Sequence, residues 1–190
     1  MSLQSFQETL AVQQAAGTLF NTFSTAKSVI NPQALYTLPP GFWSQPGKAM
    51  RITVAGGLSN IVTTPGTVTF QVMLGSNIAF TTGAIQLNAT AHTLLPFWLD
   101  ILLTCRAVGS GTSANLMGMG KLNGVMFTLT AAQVDAVNTQ GEFSAPATAP
   151  AVGAGFDSTI ANVLDFWTGF SVNNAGNGVQ IQSYLAEALN

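Results

Sequence analysis

Apolar and polar residues alternate along this chain with a period of two, in short runs set off by turn residues. That is the pattern of strands with one buried face. Between 66 and 75, Val68, Phe70, Val72 and Leu74 fall on one side and Thr67, Thr69 and Gln71 on the other. The longest strand candidate is LLPFWLDILLTCRAVG, residues 94–109. There Phe97, Leu99, Ile101, Leu103 and Cys105 share one face, and Trp98, Asp100, Leu102, Thr104 and Arg106 share the other. A helix would not make neighbours of Asp100 and Arg106, and the period of two fits better.

Other runs follow the same rule. Residues 17–30 read as a first strand, and 35–43 as a strand broken by Pro39 and Pro40. In 48–61, Met50, Ile52 and Val54 share a face opposite Arg51 and Thr53. Residues 77–87 are one strand or two around Gly83, and 114–125 is a glycine-interrupted strand. In 160–172, Leu164, Phe166, Phe170 and Val172 oppose Asp165 and Trp167. The closing run is expected to be a paired strand, with Val179, Ile181 and Leu185 inward and Gln180, Gln182 and Tyr184 outward. Eight or nine strands at this spacing predict an all-β chain, a single jelly-roll-like β-sandwich over 17–190. Two segments break the pattern. Residues 1–16 read as an N-terminal arm, and the Ala/Pro/Gly-rich stretch 130–159 as a long extended loop. Both are expected to reach out to a neighbour, and deleting 1–14 or shortening 141–156 is expected to leave the sandwich folded.

Composition sharpens this picture. Charged residues make up 6% of the chain, against about 25% in ordinary soluble domains. Thr, Ser, Asn, Gln and Gly take their place. Interface cores are depleted in charge, so a surface largely covered by other subunits is expected. Five scattered basic residues, Lys27, Lys48, Arg51, Arg106 and Lys121, and a net charge of −2 argue against nucleic acid as a partner. The start, MSLQSFQETLAVQQ, lacks a secretory signal's basic region and apolar core. The run 94–103 is too short to span a bilayer, so no membrane partner is expected. Asn88 in NAT fits a glycosylation sequon, with no secretory context to give it meaning.

The chain offers little for catalysis. Its single histidine, His92, and single cysteine, Cys105, cannot make a zinc site, and Cys105 falls on an apolar face. No metal, cofactor or catalytic residue is expected, and the chain is not read as an enzyme. Asp100 and Asp165 sit mid-strand in the outward phase. They could serve as paired carboxylates for glycoside hydrolysis. The preferred reading is structural ion pairing with Arg51 and Arg106. Trp98 and Trp167, also in the outward phase, could stack on sugars or fill a subunit interface. With no polar cluster apparent beside them, they are assigned with Phe143 and Tyr184 to an interface.

Four segments carry a resemblance: PGKAMRITVAGGLSN, TPGTVTFQVMLG, LTCRAVGSGTSANLMGMGKL and FSVNNAGNGVQIQSYLAEALN. They are similar to a group of small tailed-bacteriophage virion proteins. The likeness covers about residues 40–125 and 160–190 through strand and turn signatures, and leaves out 130–159. It implies a structural β-sandwich of the phage particle. The expected function is a capsid decoration, or cement, protein that stabilises the head. A homotrimer is favoured, with the major capsid protein or other virion proteins as partners. A tail or baseplate subunit and a carbohydrate-binding host-attachment module are the alternatives.

Overall fold

A computed structural model describes residues 7–128 and 142–189. In chain order the strands are β1 (Glu8–Val12), β2 (Phe20–Asn21), β3 (Lys27–Ser28), β4 (Tyr36–Leu38), β5 (Ala49–Asn60), β6 (Thr67–Leu74) and β7 (Asn77–Thr81). Then follow β8 (Ile85–Leu87), β9 (His92–Ala107), β10 (Asn115–Gly124), β11 (Phe127–Thr128), β12 (Glu142–Ala145), β13 (Asn162–Phe170) and β14 (Gly178–Ala188). One short 3-10 turn, Pro32–Ala34, lies between β3 and β4. No helix among the described residues is long and apolar enough to cross a membrane.

The strands form two seven-stranded antiparallel sheets. The first runs β1-β14-β5-β9-β10-β12, with β2 also paired to β14. The second runs β11-β8-β6-β13-β3, with β7 on β6 and β4 on β13. The alternation seen in the sequence decides which faces meet. Met50, Ile52, Val54, Leu99, Ile101, Leu103 and Cys105 are buried from the first sheet, and Val68, Phe70, Val72, Leu164 and Phe166 from the second. Aromatic rings join the layers. Phe70 stacks on Phe97 at 5.1 Å between centroids, and Phe166 lies 6.4 Å from Tyr184. The chain is a β-sandwich, as the patterning predicts, but short edge strands bring the described strands to fourteen where eight or nine were expected.

Several local expectations need correction. Residues 17–30 do not form one strand. Two short pairs flank a break where Thr22 takes φ +57°. Of the two readings open for residues 77–87, the structure takes the second, two strands β7 and β8 on either side of Gly83 at φ +71°. The arm over 1–16 is not free where it is described: β1 pairs with β14 along the edge of the first sheet. Residues 1–6 lie outside the described residues.

The closing strand follows alternation only to its middle. A bulge between Ile181 and Ser183 inserts an extra residue opposite β5 and reverses the phase. Val179 and Ile181 point inward as expected, but past the bulge Tyr184, Ala186 and Ala188 are buried and Leu185 is only half-buried. Tyr184, expected outward at an interface, is 1% exposed and belongs to the core.

The expected loop at 130–159 is also partly structure. Its 130–141 portion lies outside the described residues. Beyond it, β12 pairs with β10, and residues 152–156 run between the two sheets. There the Gly153 N–H donates to Leu116 O at 2.8 Å on the first sheet, and the Ala154 N–H donates to Ile78 O at 2.8 Å on the second. Ala145 and Phe156 are buried at 1% exposure each. This strap hydrogen-bonds to both sheets, so the described part of the segment is not a free extended loop.

Candidate functional site

The first sheet's outward face is assembled by register. On β9, Trp98 lies between Ala55 of β5 and Asn123 of β10. Asp100 lies between Thr53 and Lys121, and Leu102 between Arg51 and Met119. The period of two keeps Trp98, Asp100 and Leu102 together while Phe97, Leu99 and Ile101 enter the core.

Trp98 is 50% exposed, and its ring is held in place. Its indole N–H donates to Asp100 Oδ2 at 2.9 Å. The other carboxylate oxygen accepts from Thr53 Oγ1 at 2.7 Å. Asp100 is therefore satisfied by an indole and a hydroxyl. The expected ion pairs do not form: among the described residues the salt bridge is Lys121–Glu142 at 2.9 Å, with side chains 63% and 48% exposed. Pairs that exposed contribute about 0–1 kcal/mol. Arg51 and Arg106 point to solvent.

Beside Trp98 the sheet hollows into a groove of about 430 Å³, lined by Ala55, Pro96, Asn123, Val125 and Gln182 among others. Two features of the backbone open it. Gln182 sits in the β14 bulge, which carries its side chain to the outer face. At Gly124, where β10 ends, a Cβ would stand 2.6 Å from the Phe127 ring. A side chain there would force the turn away from the core. The rim is apolar at Trp98, Pro96 and Val125 and carries neutral amides at Asn123 and Gln182.

Such a face can do one kind of chemistry well. Trp has a single polar hydrogen, and Asp100 already takes it. The ring therefore offers only its π surface, which attracts the C–H groups of a flat ligand. The amides offer neutral donors and acceptors. Among the described residues no charged side chain lines the groove itself; Arg51 and Lys121 lie further along the face, beside Leu102 and Asp100.

The remaining residues singled out in the sequence do not join this face. Trp167 and Asp165 stand on the outer face of the second sheet, so the two aspartates point away from one another across the core. A glycosidase pair must flank one bond at about 5–9.5 Å. His92 opens β9, with Nε2 3.1 Å from Asn88 Oδ1, and Cys105 stands near its other end. Along one strand they are roughly 40 Å apart, which excludes a dyad. Cys105 is buried, and desolvation pushes its thiol pKa up. Phe143 is half-buried and packs edge-on against Phe127 at 5.6 Å. No three His, Cys, Asp or Glu among the described residues come together to hold a metal.

Fold and face together define an antiparallel β-sandwich with a tryptophan platform on an open sheet. No family model matches the chain, and no curated protein matches it. Solved structures resemble it at the level of the fold. One is the CBM2 module of the evolved Dit of Lactobacillus casei BL23 phage J-1, at 10% identity and a TM-score of 0.38, covering 99% of each chain. Another is the metal-free lectin I-B4 of Griffonia simplicifolia, at 9% identity and a TM-score of 0.34, covering 96% of this chain and 99% of the other. At these scores neither likeness carries an argument about ligand or site.

Proposed function

We propose that this chain is a carbohydrate-binding virion protein of a tailed phage, using the Trp98 face to hold neutral glycans during host attachment. The observation that carries the reading is the half-exposed Trp98 ring, fixed by Asp100 at the edge of an amide-bearing groove. A ring already immobilised loses little entropy when a ligand stacks on it. The virion setting rests on the sequence resemblance.

The test is binding of the purified protein to immobilised neutral glycans, including polysaccharides of the bacterial surface. Trp98→Ala is expected to weaken binding about 30-fold or more, the loss of about 2 kcal/mol typical of a central aromatic contact. Trp98→Phe, which keeps a stacking face, should retain part of the affinity. Failure of every glycan to bind, or unchanged binding by Trp98→Ala, overturns the reading.

A second reading has its own observation. Leu102 and Met119 face each other across β9 and β10, 44% and 42% exposed on the same sheet face. An apolar pair of this kind suits a protein neighbour, as in the capsid decoration role, with self-association into a trimer as one form of it. Leu102→Asp should then abolish incorporation into particles and leave glycan binding by the free protein intact.

A further inference from the structure

The arrangement around Trp98 occurs a second time, in mirror order, on the opposite side of the molecule. On β13, two positions after Asp165, the Trp167 indole N–H donates to Asp165 Oδ2 at 2.6 Å. Asp165 Oδ1 accepts from Ser28 Oγ of the adjacent β3 at 2.8 Å and from the Phe166 N–H at 2.7 Å. On β9 the order is Trp, then Asp, with Thr53 as the hydroxyl from the neighbouring strand. On β13 it is Asp, then Trp, with Ser28 in that part. In both, a carboxylate on the outward face clamps an indole two positions away and is itself braced by a hydroxyl from the next strand.

The surroundings of Trp167 are polar and include one amide. Trp167 lies opposite Ser28 on β3 and Gln71 on β6, and Gln71 lies opposite Thr81 on β7. All four are half-buried, while Leu164, Phe166, Thr168 and Phe170 on the other side of β13 are buried. The platform is therefore flanked by an amide and hydroxyls. The nearby cation is occupied: the Lys27 ammonium sits 4.8 Å and 4.3 Å from the ring centres of Phe20 and Phe23. As on the first face, the indole's one donor is spent, so the ring offers only its surface to a ligand without charge.

We infer that Trp167 forms the floor of a second, shallower glycan site, so that one copy of the domain binds neutral oligosaccharides on two opposite faces. This rests on the reading of the Trp98 face as a glycan site. A two-faced domain can link two chains of a cell-wall polysaccharide without forming an oligomer. Linked sites gain avidity without any new contact.

The three tryptophans make the test direct. Each indole N–H gives its own nitrogen-correlated NMR signal, and Trp43, 2% exposed, serves as an internal reference. The intact protein is titrated with defined neutral oligosaccharides: cello-, manno-, galacto- and N-acetylglucosamine tetramers. The expected result is movement of both the Trp98 and Trp167 signals with separate midpoints, Trp167 about tenfold weaker, and a stationary Trp43. In Trp98→Ala the Trp167 midpoint should change by less than about twofold. Beads coated with the same glycan should be agglutinated by protein that sediments as a monomer, and Gln71→Ala should reduce that agglutination. Movement of Trp98 alone, with one ligand per chain, overturns the second site and leaves the first. Movement of Trp167 alone overturns the Trp98 site instead. If neither signal moves, both readings fail.

Discussion

At the scale of single residues, the polar groups of this protein are arranged through neutral donors. Asp100 and Asp165 were legible as outward, mid-strand carboxylates from alternation alone, and Trp98 and Trp167 as outward aromatics. Their pairing with one another was not, because opposite charge is the usual first partner to assign to a carboxylate, and two arginines stand in the sequence nearby. Hydroxyls from the neighbouring strands and indoles two positions along the same strand reach the carboxylates instead. Tyr184 shows the opposite failure. Alternation placed it outside, yet it is buried, and its hydroxyl has no hydrogen-bond partner. Desolvation raises its phenol pKa well above the ordinary value, and the Asp165 charge adds to the rise. The sign follows from linkage. The folded state prefers the neutral phenol, so this contribution to stability is fully present below the unfolded pKa of about 10 and is lost as pH rises above it. Tyr184→Phe removes an unpaired buried hydroxyl, a group that costs about 1–3 kcal/mol when left unsatisfied. The variant should melt at the same temperature as the parent or higher at pH 7. It should also withstand alkaline pH better, measured by circular dichroism between pH 8 and 11.5. A Tyr184→Phe protein that is markedly less stable at pH 7 would show that the hydroxyl has a bonding role in the core.

At the scale of elements, legibility depended on length and regularity. The strands β5, β6, β9 and β13 were readable because each keeps one buried face over several repeats, and their core residues are the expected ones apart from Val172, which lies half-buried past the end of β13. The elements that were missed are short or phase-shifted. A bulge leaves no mark in composition, so the second half of β14 was read one residue out of phase. The strap at 152–156 was hidden because its order comes from hydrogen bonds to Leu116 and Ile78, partners distant in sequence, and its Ala/Pro/Gly content resembles a linker. Gly153 marks how closely it is held: a Cβ there would overlap the carbonyl oxygen of Ala79 and stand 2.6 Å from its carbon. Backbone cannot yield as a flexible side chain can. Gly153→Ala is therefore expected to cost about 1–3 kcal/mol, the usual range for overpacking. For a chain of this size that is a fall in melting temperature of roughly 3–10 °C. Ala154→Ser, at an exposed neighbouring position, serves as the control and should change little. An unaltered melting temperature for Gly153→Ala, read by calorimetry, would mean that the strap lifts away at little cost and belongs to the surface after all.

At the scale of the whole molecule, the scarcity of charge governs how the protein meets anything else. Each platform's carboxylate is hydrogen-bonded by an indole and a hydroxyl rather than paired with a cation, and the surface ion pair Lys121–Glu142 is solvent-exposed. Binding that depends on charge weakens steeply with ionic strength, because the screening length falls from about 10 Å at 0.1 M to about 3 Å at 1 M. Stacking on a tryptophan and hydrogen bonding to neutral amides have no such dependence. Glycan affinity should therefore change by less than about twofold between 0.1 and 1 M NaCl, measured by titration calorimetry on one preparation. On the proposed virion role, attachment to phage particles should show the same independence of salt, measured by sedimenting particles across a salt series and quantifying the protein in the pellet. Trp98→Ala should lower glycan affinity equally at both salt concentrations, since the contact it removes is not ionic. A tenfold or greater loss of glycan binding by salt alone would instead place Arg51 and Lys121, which flank Leu102 and Asp100 on the first face, at the centre of recognition. The ligand would then have to carry negative charge, and the neutral-glycan reading of the face would give way to an anionic one.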